Sequence, residues 1–309
     1  MPEHWLKLAI EQREKYIVVS LESVYRTNKD NFKSQGLKPL YADSCLLNYN
    51  LRMLLLARSV NGNKMSDNSN RLNVALHLGD NALILGHRIS EWCGHGPVLE
   101  QDIAMTNIAL DLIGQAKMYF DYAAEIEGQG HDHDYFAYRR DVLDFKNLLL
   151  CEIPNGDFAD TIARQFYFDQ WHFLLLTELS NSEDERLKEI AQKSLKEVTY
   201  HRRWSSEWVV RLGDGTPESK EKMQRAIDDA WYYSGEAFIP VDYEKGILPI
   251  GLKDQWMKNV KEVIEEATLE MPADEWMQEG GKTGNHTEHL GFILAEMQFL
   301  PRAYPDATW

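Results

Sequence analysis

From Arg71 onward, apolar residues recur every three or four positions, and no apolar/polar alternation of the kind a half-buried strand needs survives more than four positions. The pattern predicts an all-α chain. Helices are expected over 71–93, 99–127, 135–151, 158–179, 183–212, 217–238, 253–269 and 287–303. Their ends are punctuated in sequence. Ser69 or Asn70 caps the first, and Gly94-His95-Gly96-Pro97 stops it. Gly128-Gln129-Gly130 ends the second, and Pro154-Asn155-Gly156-Asp157 parts the third from the fourth. Gly213-Asp214-Gly215 ends the fifth, and Pro217 stands at the first position of the sixth. The helices over 71–93, 99–127, 158–179 and 183–212 are the long ones, and a shorter helix lies in the connection between the second and third of them. That arrangement predicts a ferritin-like four-helix bundle with additional C-terminal helices.

Each long helix holds a polar residue inside its apolar stripe. Asp80 sits among Leu76, Leu83, Ile84 and His87, and Gln115 among Ala104, Ile108, Leu112, Tyr119 and Tyr122. Asp169 sits among Ile162, Phe166, Phe173 and Leu176, with His172 on the border. His201 sits among Ile190, Ser194, Val198, Ser205, Trp208 and Leu212. A single polar residue on such a face is usually a satisfied core group. Four at matching depth point to a shared buried network, such as Asp169 with His201 and Gln115.

A bundle of this shape can hold a di-iron carboxylate centre, built from one Glu on each of two helices and Glu-x-x-His on each of the other two. The chain contains no Glu-x-x-His. Asp169-Gln170-Trp171-His172 has the spacing but the shorter acid; Glu91 to His95 and Glu197 to His201 are one residue too long. Losing two carboxylates would leave the charge of the irons unbalanced in the interior, at a cost of at least several kcal/mol per ion. No catalytic, cofactor-binding or metal-ligating residue is therefore expected. The rival reading is an atypical di-iron oxygenase that uses Asp80, Asp169, His172, Glu197 and His201. A third is a helical adaptor.

Charge narrows the partners. The chain has 309 residues and a net charge of −16, spread unevenly. Residues 1–64 hold 10 Lys+Arg against 6 Asp+Glu, and the remainder 23 against 43. An acidic body argues against a nucleic-acid surface. No apolar run is long enough to span a membrane, and no secretory signal pattern opens the chain. Cys45, Cys93 and Cys151 are far apart and lack CxxC spacing, so reduced thiols and a cytoplasmic location are expected. Residues 61–70 are Gly-, Asn- and Ser-rich and read as a seam. They divide an N-terminal extension, 1–64, from a helical domain, 65–309. The extension is weakly patterned, with helices expected over 3–22 and 41–60; it is either a helical arm or a start-site artefact with Met65 as the natural start.

Five stretches carry a family likeness: LGDNALILG at 78–86, SEWCGH at 90–95, PNG at 154–156 with FADTIARQ at 158–165, GGKTG at 280–284, and HTEHLG at 286–291. With them, residues 65–309 resemble the phenylacetic acid degradation proteins that serve as non-catalytic subunits of bacterial phenylacetyl-CoA ring epoxidases. The resemblance implies a ferritin-like fold and a metal-free structural role in a multicomponent oxygenase. It implies a partner, the catalytic subunit, that holds the di-iron centre, with electrons arriving from NADPH through a reductase and small accessory components. It also aligns the partner's two Glu-x-x-His motifs with Leu112 and Gln115, and with Val198 and His201. Arg139-Arg140 and Arg202-Arg203 are the basic pairs nearest to what a CoA phosphate would need, and ordinary solvated charge explains them better. Trp204, Trp208, Trp231, Tyr232 and Tyr233 suit either a broad interface or the core.

Overall fold

The computed structural model describes residues 67–273, 277–305 and 307. These fall in one compact unit, Ser66–Trp309. The expectations for residues 1–64, and the seam up to residue 66, lie outside the described residues.

Among the described residues every regular element is a helix. The elements are α1 (67–90), α2 (Leu99–Glu127), α3 (His133–Tyr138), α4 (Leu149–Glu152), α5 (Phe158–Leu179), α6 (Glu185–Gly213), α7 (Pro217–Ser234), α8 (Lys253–Glu266) and α9 (Glu288–Ala303). The expected bounds of α2 and α5 hold because local chemistry sets them. Gly128 takes φ 67° and returns its N–H to the Ala124 carbonyl, a left-handed C-cap that glycine adopts without a Cβ penalty. Asp157 accepts from the N–H groups of Ala159 and Asp160, and Asp160 accepts from the Asp157 N–H, closing a capping box. The helix α6 starts two residues later than expected, because Asp184 is its cap and accepts from Arg186 and Leu187. The helix α1 is already formed at residue 67, ahead of Ser69 and Asn70, and gives way to turns at 91–95.

The expected helix over 135–151 does not exist as one element. It is α3, a 3₁₀ turn at Val142–Asp144, and α4, joined by extended residues. The reason is competition for backbone donors. The Lys146 N–H donates to Asp80 (2.8 Å) and the Leu148 N–H to Asn81 (2.7 Å), both on α1, while the Leu149 N–H donates to Glu236 (2.9 Å). A helix would have needed those groups for itself.

α5 packs along α6, α7 and α8, and α2 packs along α6. α1 lies close against α2: a Cβ at Gly79 would come within 2.5 Å of the Phe120 ring. The turn that follows α1 meets α5, where the Trp92 indole N–H donates to Thr161 (3.0 Å). Trp231 and Trp256 stack where α5, α7 and α8 meet, with the Tyr167 ring tilted against both. The GGKTG stretch is a clasp in this packing. The N–H groups of Gly280 and Lys282 donate to Glu236 Oε1, and the buried Lys282 ammonium bonds Glu244 and the Ile239 carbonyl. Gly281 passes so close to Asn147 that a Cβ would meet its carbonyl oxygen at 2.2 Å.

The aromatic cluster resolves mainly into core. Trp204 and Trp231 are buried, and both Trp204 and Trp208 donate to Gln101 Oε1. The exposed apolar surface lies elsewhere. On α2, Leu99 (72 % exposed), Ile103, Leu110 (62 %) and Ile113 form one stripe at helical spacing.

Candidate functional site

The centre is built by α2, α5 and α6. Leu112, Gln115, Asp169, Val198 and His201 are all fully buried, and His172 nearly so. α2 and α6 run antiparallel, and two four-residue steps cross between them. His201 Nε2 bonds Asp111 Oδ2 (3.0 Å), and Gln115 Nε2 donates to Glu197 Oε2 (3.0 Å). Asp169 makes its own bonds, accepting from Gln165 Nε2 (2.7 Å) and Ser205 Oγ (2.9 Å). The expected triangle of Asp169, His201 and Gln115 is thus replaced by separate pairs. Their rim partners, Asp111 and Glu197, sit one turn from the residues the apolar stripes single out. The i,i+4 spacings Asp111/Gln115 and Glu197/His201 were the available signal for them.

Asp80 belongs to a different cluster, and matching depth does not hold for it. Both Nη atoms of the buried Arg140 donate to its carboxylate, at 3.1 Å from Nη1 and more closely from Nη2. Arg140 also donates Nε–H to the Phe136 carbonyl (2.6 Å) and lies 4.2 Å from the centroid of the Phe145 ring. Arg140 is therefore committed to the interior, and only Arg139 of that pair is a surface group. Arg202 lies over the Phe173 ring, 4.3 Å from its centroid.

Burial sets the electrostatics. It pushes the Asp169 carboxyl up to about 7, against the opposing pull of His201, Ser205 and Gln165. It pulls the His172 imidazole down to about 3, aided by the charge of His201. Such surroundings favour a neutral acid and a neutral imidazole.

That donor set does not fit two irons. Leu112 and Val198, the positions the resemblance aligns with glutamates, are buried aliphatic side chains, and Gln115 gives its amide N–H to Glu197. Asp80 is neutralised by Arg140 at a separate place. Among the described residues no three His, Cys, Asp or Glu side chains converge on a common point. Of the rival set, Asp80 lies apart with Arg140, while His201 is close enough to Asp169 and His172 to shift both.

Fold and centre together define a helical protein with a central set of buried polar side chains, several of them paired across helices. The chain belongs to the phenylacetic acid catabolic protein family, whose model matches residues 58–309. It is similar to one of the subunits of 1,2-phenylacetyl-CoA epoxidase from Escherichia coli (strain K12), with 49% identity over 241 residues, covering 76% of this chain and 97% of that protein. Among the described residues no helix is long and apolar enough to cross a membrane.

Proposed function

We propose that the chain is the structural, metal-free subunit of a multicomponent oxygenase that epoxidises phenylacetyl-CoA. In this reading α1, α2, α5 and α6 form a ferritin-like four-helix bundle. The catalytic partner subunit holds the di-iron centre, a reductase supplies electrons from NADPH, and the assembly is cytoplasmic. The observation that carries the reading is the pairing of Gln115 and His201 with rim acids beside two buried aliphatic side chains, Leu112 and Val198, which the resemblance aligns with glutamates. The similarity to an epoxidase subunit of Escherichia coli supports the substrate class and the presence of other subunits. The test is metal analysis of the chain purified alone after expression in iron-rich medium. Iron far below one atom per chain is expected. About two irons per chain, lost on replacing Asp169 or His201, would reverse the reading in favour of a di-iron oxygenase.

The partner-facing surface is assigned to the α2 stripe, where Leu99, Ile103, Leu110 and Ile113 are exposed and Gly114 has open space beside it. Exposed apolar stripes of this kind mark interaction sites. Leu110→Arg is expected to weaken co-purification with the catalytic subunit at least tenfold, a loss of about 1.4 kcal/mol or more. The isolated chain should keep its stability to within roughly 0.5 kcal/mol, since the residue is exposed. Undiminished co-purification would remove α2 from the interface.

A further inference from the structure

The seam between α2, α5 and α6 contains more buried polar atoms than the chain can pair. Gln115 Oε1, Tyr119 OH, Gln165 Oε1, His172 Nδ1, Ser194 Oγ and His201 Nδ1 are buried and find no hydrogen-bond partner among the protein groups. Their side chains belong to residues that are at most 3 % exposed. Buried polar groups in folded proteins are almost always satisfied, because an orphan keeps its desolvation cost with nothing to offset it.

These atoms are not scattered. The Asp111–His201 and Gln115–Glu197 pairs fix the register of α2 against α6, and one turn further on this places Tyr119 level with Ser194. The Asp169–Ser205 bond and the Arg202–Phe173 contact fix α5 against α6, which places His172 level with His201. Ser194, Val198, His201 and Ser205 share one face of α6, so the orphans follow that face from level to level. Their chemistry is mixed: two hydroxyls that donate and accept, two amide oxygens that only accept, and two imidazole nitrogens. None carries a fixed charge. A cation would bury a charge that no free carboxylate balances, since Asp169 already accepts from Gln165 and Ser205 and Glu197 from Gln115, and an anion would be repelled by the amide oxygens. Water donates and accepts, and a buried water commonly makes about three hydrogen bonds.

We propose that this seam is a binding site for a file of buried water molecules, which bridge α2, α5 and α6 at the level the resemblance assigns to iron. His201 links the file to the rim. Its Nε2 is on Asp111, whose side chain is 35% exposed, while its Nδ1 faces inward. Water then does what a metal would otherwise do for the shape, tying three helices together through their side chains. The inference rests on the orphan atoms and not on the proposed function.

The test is a high-resolution crystal structure of the full chain, with anomalous data at the iron edge, alongside melting curves of Tyr119→Phe and Ser194→Ala. Ordered water is expected within about 2.7–3.2 Å of at least four of the six orphan atoms, bridging different helices. In solution neither variant should melt above the wild type, because each hydroxyl removed already has a partner. A dry seam, or side chains rearranged to pair with each other, would overturn the proposal. So would a raised melting temperature in both variants, the signature of a removed orphan. Iron in the density would overturn this proposal and the metal-free reading together, whereas a dry seam would overturn this proposal alone.

Discussion

Replacing Arg140 with methionine is expected to cost roughly 3–5 kcal/mol of stability, the usual loss on removing one partner from a buried ion pair. Asp80 is fully buried, and Arg140 supplies two of its donors; the third is the Lys146 N–H. Methionine keeps much of the volume against Phe120 and Phe145 but leaves a carboxylate with a single backbone donor. The damage should spread along the connection from α3 to α4, which has little helix of its own. Arg140 also holds the Phe136 and Asp144 carbonyls, and its own carbonyl receives Gln298 and Arg302 from α9. Urea denaturation would give the loss, and limited proteolysis should show new cleavage within residues 139–148. Asp80→Asn combined with Arg140→Met should recover part of the loss, because the double variant buries no unpaired charge. A single variant as stable as wild type would mean that the carboxylate is solvated by some other route.

That connection also marks where sequence ceases to be informative. The ends of α2 and α5 were legible because each is decided within a few residues, by Gly128 in one case and by Asp157 with Asp160 in the other. The break between α3 and α4 was not, because its hydrogen bonds come from Asp80 and Asn81, more than sixty positions away. Residues 135–151 carry a helical periodicity of their own, and tertiary competition overrides it. The centre divides in the same way. Apolar stripes correctly put Gln115, Asp169 and His201 in the interior, since burial follows from helical period alone. Which of them touch depends on the axial register of one helix against another, and period says nothing about register. Hence Asp111 and Glu197, on the rim, became the partners of His201 and Gln115, and Asp80 turned out to hold the connection between α3 and α4 instead of serving the centre.

Asp169→Asn is expected to stabilise the protein in neutral and alkaline solution and to reshape its pH profile. The sign follows from the shifts. The Asp169 carboxyl has an ordinary value of 3.8 and is raised to about 7 in the fold, so the native state holds a proton that the unfolded chain releases. Stability is therefore lost as pH rises from about 4 to 7 and stays lost above that, by on the order of 4 kcal/mol. His172 and His77 act in the opposite sense. Burial lowers them to about 3 and about 4, so the unfolded chain takes up protons that the native state refuses, and stability is lost as pH falls below 6.5. Between about pH 4 and 6.5 these three groups partly cancel, Asp169 favouring acid and the two histidines opposing it. Asparagine cannot ionise, and it keeps an acceptor oxygen for Gln165 and an amide N–H for Ser205. In the variant the Asp169 contribution is gone, so the slope of stability against pH across that window should become more positive by about 1.4 kcal/mol per pH unit. The two proteins should match near pH 4 and differ most above pH 7, with the variant the more stable. Urea denaturation at unit steps of pH from 4 to 8 measures both the slope and the offset. A variant less stable than wild type at pH 8 would show that the ionised carboxylate is stabilised in place, and that the centre is built around a charge and not around a neutral acid.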